Sequence, residues 1–167
     1  RRQLKDTKIR TWWRFWASPF DKKKFTDDLD ALSNFYKDEG HRDFTILSDS
    51  VYYSKKKKGL IVRINILEGS KYKFRNFSWE GNSLYGENVL QSALNLNKGD
   101  IFSQTGFDKA VFQDVQSLYM DRGYLYSNIE PFFTPAGKDS MDVHFSVSEN
   151  NKVYVRNINI YGNSKTR

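Results

Sequence analysis

The side chains able to do chemistry are few and poorly grouped. The 167 residues include two histidines and no cysteine, which removes thiolate nucleophiles, disulfides and Cys-based zinc sites together. His41 and His144 have no His-x-x-x-His spacing, no adjacent Glu-His pair and no third ligand beside them, so a metal centre lacks donors. Asp27, Asp28 and Asp30 crowd what reads as the start of a helix, where acidic groups favour the helix dipole without any catalytic role. No Gly-x-Ser-x-Gly elbow, P-loop or Rossmann fingerprint is present. The chain is expected not to be an enzyme, with no catalytic residue, metal or cofactor.

Charge offers the next candidates. Lys55-Lys56-Lys57-Lys58 could attract phosphate, lipid head groups or nucleic acid. The run falls between two strand patterns, so it reads as a solvated hairpin turn, and Lys22-Lys23-Lys24 before a helix reads the same way. Arg10-Thr11-Trp12-Trp13-Arg14-Phe15-Trp16 interleaves aromatics and Arg like an interfacial anchor; the favoured reading is a loop whose rings plug against neighbouring helices. The net charge of +7 is uneven: +6 over residues 1–70, −3 over 71–150 and +4 over 151–167. A nucleic-acid binder gathers basic residues on one continuous surface, and here the acidic stretch is a complete unit of its own. No nucleic-acid partner is expected, and a basic binding module stays a distant alternative.

The elements that carry these residues repeat. Lys71-Tyr72-Lys73-Phe74-Arg75-Asn76-Phe77-Ser78-Trp79-Glu80-Gly81-Asn82-Ser83 recurs 81 positions later as Lys152-Val153-Tyr154-Val155-Arg156-Asn157-Ile158-Asn159-Ile160-Tyr161-Gly162-Asn163-Ser164. Both alternate with the period of a half-buried strand and close on a Gly-Asn turn. The same offset superposes Leu60–Gly69 on Met141–Asn150, with Val62, Ile64 and Ile66 on one face and Val143, Phe145 and Val147 on its counterpart. An offset of 83 aligns Phe35-Tyr36-Lys37-Asp38-Glu39-Gly40-His41 with Leu118-Tyr119-Met120-Asp121-Arg122-Gly123-Tyr124. Three matches at nearly one spacing establish an internal repeat.

Within the complete unit the order is β-α-α-β-β. A strand is expected at 72–79 and a helix at 86–96, with Val89, Leu90, Ala93 and Leu94 on one face. A second helix at 105–121 carries a stripe of Phe107, Val111, Val115, Leu118 and Tyr119, and Gly123 stops it. Strands at 126–134 and 141–148 complete the unit. The first unit repeats the pattern from a helix carrying Phe25, Leu29, Leu32, Phe35 and Tyr36, stopped by Gly40, with strands at 43–53 and 60–67. It lacks the first strand and keeps only the tail of a first helix at 1–10. The expected organisation is an incomplete repeat at 1–70, a complete one at 71–150, and the opening strand of another at 151–167. No run of apolar residues is long enough to cross a bilayer as a helix. The chain begins at Arg1 rather than Met and ends inside a motif, so a leader or membrane anchor is expected outside these residues.

The order β-α-α-β-β, the helix ending Tyr-x-x-x-Gly, the strand ending Glu68-Gly69 and the first strand closing on Gly-Asn together resemble POTRA domains, which outer-membrane β-barrel assembly proteins string before a C-terminal barrel. The resemblance spans nearly the whole chain and is similar to the third and fourth repeats of such an arm, with the start of the fifth. It implies an α+β fold of tandem POTRA repeats, each a three-stranded mixed sheet covered on one face by two helices, with the last strand in the middle. It also implies a periplasmic scaffold at the outer membrane, anchored through that barrel. Its partners would be outer-membrane β-barrel precursors and accessory lipoproteins; a related translocase or secretion pore is the alternative. His41 stands where the pattern has an aromatic, and Asn150 where the first unit has Gly69.

On that arrangement the second strand of each unit borders its sheet. Pro131 agrees, because proline cannot donate the N–H a central strand must give. An open border can accept an extended segment of another chain through backbone bonds, or a second copy of this one. The expected contact positions are Thr45, Leu47, Val51, Tyr52 and Tyr53 in the first unit, and Tyr126, Asn128, Phe132 and Phe133 in the second. One ring of each pair Tyr52/Tyr53 and Phe132/Phe133 is expected to point into the core. Pro131 can also be read as blunting its border, which leaves 42–53 as the better strand. Glu68, Gly69, Ser70, Glu149, Asn150 and Asn151 are expected to form the joints between repeats, too short for free domain motion.

Overall fold

The computed structural model describes residues 20–54 and 59–161, and the structural statements below concern these. The expected helix tail at 1–10, the Trp-rich segment, the Lys55–Lys58 turn and the Gly162-Asn163 turn lie outside them.

The first unit opens with helix α1 (Lys22–Asp38). Its N-cap is Asp21, whose carboxylate accepts the amides of Lys23 and Lys24. The sequence reading placed the helix start at Asp27, Asp28 and Asp30; these fall farther along, and Asp28 is buried. Strands β1 (Thr45–Tyr53) and β2 (Leu60–Leu67) form an antiparallel hairpin. Val62, Ile64 and Ile66 are its half-buried alternate residues, while Phe25 and Phe44 are buried. The ring of Tyr36 stacks on Phe44 at 4.3 Å, which ties the end of α1 to the start of β1.

The second unit runs β3 (Lys73–Glu80), α2 (Glu87–Leu94), α3 (Gln104–Lys109), a π-helical stretch (Ala110–Val115), α4 (Gln116–Asp121), β4 (Asn128–Pro135) and β5 (Ser140–Ser148). Its sheet has the order β3-β5-β4, with β3 parallel and β4 antiparallel to β5. The last strand is therefore central, which makes the sheet mixed. Along β5, Met141, Val143, Phe145 and Val147 are buried while the residues between them are half-exposed. One face thus receives the helices and the other meets water. Burying each such side chain stabilises the fold by roughly 1.5–3 kcal/mol. Phe74, Trp79, Leu90, Leu94, Phe102 and Phe107 complete the core from the other elements. In α2 only Leu90 and Leu94 of the expected face are fully buried, and Val89 is exposed.

The second helix expected from the sequence is one rod with a π turn inside it. Phe107, Val111, Val115 and Tyr119 are all buried, at strict intervals of four. In a regular helix each such step overshoots a turn by about 40°, so the stripe would drift off the core. The wider π turn, with its i→i+5 bonding, takes up that drift.

Both α1 and α4 end in the same way. His41 N–H reaches the Tyr36 carbonyl and Gly40 N–H the Lys37 carbonyl, as Tyr124 does with Tyr119 and Gly123 with Met120. This is the Schellman termination, and both glycines have positive φ, 106° and 88°. Residues 151–161 belong to no regular element, contrary to the strand expected there. Their counterpart β3 is a strand because it pairs with β5; among the described residues nothing offers 151–161 such a ladder.

Candidate functional site

Among the described residues every strand but β5 borders its sheet, the second strand of each unit included: β1 pairs only with β2, and β4 only with β5. On β1 the register slips at Leu47, which sits in the bulge between Ile46 and Ser48 and is 64% exposed. Thr45, Val51, Tyr52 and Tyr53 are all exposed. Neither tyrosine enters a core, against expectation: Tyr53 is 72% and Tyr52 40% exposed, and the Arg63 guanidinium lies 5.8 Å over the Tyr52 ring.

On β4 the expected alternation holds. Phe133 packs against Phe102 and Phe107, and Phe132 is 51% exposed. Asn128 is the first, exposed residue of β4. Tyr126 lies in the turn before it and is therefore not on the strand border. The β4–β5 ladder keeps register from Asn128 to Pro135 through both Pro131 and Pro135. A proline turned toward β5 deletes a ladder bond, and one turned outward deletes none. These two share a parity, so an outward orientation strips donors from alternate positions along the open side.

The joints are built from identifiable contacts. At the first, Tyr72 N–H donates to the Gly40 carbonyl at 2.9 Å. Asp38 reaches across to the start of α3, accepting from Thr105 N–H at 2.8 Å, Thr105 Oγ1 at 2.9 Å and Ser103 Oγ at 3.1 Å. Ser103 is itself the N-cap, accepting from Gly106 N–H. The carboxylate thus satisfies donors that the helix leaves open. Arg42 lies 4.4 Å over the Phe133 ring, and Tyr72 Oη donates to Asp43 at 2.7 Å; that bond is the main cause raising the Tyr72 pKa.

At the second joint Val153 N–H donates to the Gly123 carbonyl at 2.8 Å. The joint residues named from sequence fall at these places. Glu68 accepts from Tyr36 Oη at 3.1 Å, Gly69 has φ 69°, and Ser70 and Asn151 lie outside regular elements. Glu149 accepts from Leu84 N–H at 2.7 Å and from Ser83 Oγ. Asn150, at φ 53°, takes the left-handed conformation of Gly69, which asparagine tolerates, and its amide reaches the Tyr126 carbonyl at 2.7 Å. The sequence reading missed Asp38, Arg42, Ser103 and Thr105. A Ser-x-Thr helix start and an aspartate shared by both Tyr-x-x-x-Gly ends were the available signals.

One arrangement has the composition of a nucleophile set. Ser78 Oγ lies 2.8 Å from His144 Nδ1, and His144 Nε2 lies 3.3 Å from Glu80. These groups stand on the solvent-facing side of the sheet beside the Arg75–Asp142 ion pair. Acyl transfer needs donors preorganised for an oxyanion in a water-excluded site, and an open sheet face supplies neither. A shallow open groove lies elsewhere, between β3 and α2, its lining including Arg75, Trp79, Glu87, Asn88, Gln91 and Lys98. No described helix is long and apolar enough to cross a membrane, and no group of potential metal ligands is found among the described residues.

The described residues thus form tandem α+β repeats with open strand borders and bonded joints. The family model for POTRA, the surface antigen variable number repeat, matches residues 2–69 and 72–150, and the chain belongs to that family. The chain is 28% identical over 169 residues to the outer membrane protein assembly factor BamA of Neisseria meningitidis, covering 99% of this chain and 21% of that protein. It is 26% identical over 161 residues to BamA of Buchnera aphidicola, covering 94% of this chain and 26% of the relative. Among solved structures it resembles Haemophilus influenzae BamA POTRA3-5, with a TM-score of 0.70 and 22% identity over 99% of this chain and 65% of that one. Its repeats are similar to those of BamA-type assembly factors, and the chain spans about a quarter or less of the curated relatives' length.

Proposed function

We propose that this chain works at the periplasmic face of the outer membrane as part of the arm of a β-barrel assembly factor. There it holds accessory lipoproteins and receives unfolded barrel precursors as added strands. The observation carrying this reading is that the second strand of each unit, β1 and β4, borders its sheet with one side unpaired among the described residues. Backbone groups dominate such recognition, so it depends weakly on the guest sequence, which suits a scaffold handling many precursors. The two borders are not equal. An outward turn of Pro131 and Pro135 would leave β4 a donor row with alternate gaps and an inward one would delete its ladder bonds, whereas β1 contains no proline. We infer that β1 is the stronger acceptor.

Titrating the isotope-labelled chain with an extended peptide taken from a barrel strand tests this. Amide shifts are expected along 45–53 and, more weakly, along 128–135. A scrambled peptide of the same composition should bind within a few-fold, and one N-methylated at alternate residues should not bind. Shifts confined to the helices, or binding indifferent to N-methylation, would overturn the mechanism. Response to a single peptide sequence would favour a translocase arm instead.

A further inference from the structure

The two helix ends Tyr36-Lys37-Asp38-Glu39-Gly40 and Tyr119-Met120-Asp121-Arg122-Gly123 carry aspartate at the same place. In the first, that aspartate is occupied across a joint: Asp38 accepts from Thr105 N–H, Thr105 Oγ1 and Ser103 Oγ at the start of α3. In the second, Asp121 is exposed and has no hydrogen-bond or ion-pair partner among the described residues. The neighbouring positions follow the same rule. Arg42 and Asp43 both cross the first joint, to Phe133 and Tyr72. Their counterparts at the same offset, Leu125 and Tyr126, are 53% and 72% exposed.

The second joint is nevertheless begun in the same way as the first. Val153 N–H meets the Gly123 carbonyl at 2.8 Å, repeating the Tyr72–Gly40 bond at 2.9 Å. Residues 152–160 also repeat the sequence of β3. An interface already built once in this molecule is thus half built a second time.

We propose that the end of the second unit formed by Asp121, Leu125 and Tyr126 is the docking face for a repeat opened by residues 152–160. Asp121 caps the second helix of that repeat through its second-position amide and nearby hydroxyls, as Asp38 caps α3. Leu125 replaces the cation of the first joint with an apolar contact. Because the strand-to-glycine bond and the cap are both retained, successive repeats keep one relative orientation. The reading is independent of whether β1 or β4 accepts a guest strand.

The test uses the chain extended through the repeat that begins at Lys152. In Asp121→Ala, the amide at the second position of that repeat's second helix should exchange about tenfold faster or more, the scale of a lost charge-assisted bond. Residual dipolar couplings should then cease to fit one alignment tensor for the two repeats. Unchanged exchange of the β5 amides reports that the second unit remains folded. Asp38→Ala should produce the same acceleration at Thr105, which calibrates the measurement. The proposal is overturned if Asp121→Ala leaves that amide and the common tensor unchanged while Asp38→Ala acts. It is equally overturned if the substitution abolishes only association with a second copy.

Discussion

Tyr36 Oη donates to the Glu68 carboxylate at 3.1 Å, while the equivalent hydroxyl of Tyr119 is buried with no hydrogen-bond partner among the described residues. The difference lies in the second carboxylate. Glu149, the counterpart of Glu68, is taken by Leu84 N–H and Ser83 Oγ, so the tyrosine of the repeat motif loses its acceptor. Tyr119 is held instead by packing, with Tyr85 edge-on at 5.2 Å.

Equivalent substitutions at the two tyrosines should therefore act with opposite sign. Tyr119→Phe removes an unsatisfied buried hydroxyl and is expected to leave stability unchanged or raise it by about 1 kcal/mol. Tyr36→Phe removes a partly exposed bond to a carboxylate and should cost up to about 1 kcal/mol. Chemical denaturation of the two variants reads both. A clear loss in Tyr119→Phe would mean the hydroxyl has an acceptor.

Tyr119 also sets an alkaline limit. Burial, with smaller contributions from Glu149 and Tyr85, pushes its pKa up to about 12 from an ordinary 10.0. Between those values the unfolded chain releases a proton that the folded chain keeps, so folding stability falls as pH rises. The contribution is whole below pH 10 and is lost progressively toward pH 12. Tyr119→Phe should flatten that part of the stability profile, and spectrophotometric titration of the native protein should lose one late-ionising tyrosine.

Gly40 is fixed by both conformation and contact. Its φ of 106° is unfavourable for any L side chain, and a Cβ there would stand 2.8 Å from Ile101 Cγ2 and 2.9 Å from Lys71 Cγ. Gly40→Ala should cost about 1–3 kcal/mol and loosen the first joint, since Tyr72 bonds this residue's carbonyl. Faster exchange of the Tyr72 amide checks the second effect. Gly59, with open space around its Cβ position and no positive φ, is the control expected to tolerate alanine.

The repeat made most of the fold legible. Alternation along β3 and β5, the stripe of five apolar residues on the second helix and the glycine stops at 40 and 123 are local signals with local causes, and each fell within a residue or two of its place. The opening strand expected within 151–167 finds no ladder among the described residues, and neither Tyr52 nor Tyr53 enters a core, for a common reason: both depend on a covering element contributed from elsewhere. The π turn was legible in principle, in buried residues spaced strictly by four, but a periodic stripe reads as an ordinary helix until the drift is computed.

By itself, the sequence determined the unit, its element order and the borders where proline is tolerated, because propensity, periodicity and turn chemistry act over a few residues. Only the tertiary structure decided what joins the units. Asp38 meets Thr105, and Arg42 meets Phe133, across sequence separations of 67 and 91 residues. Those meetings depend on how two finished repeats pack, and no local pattern encodes the direction in which a surface carboxylate will find its donors.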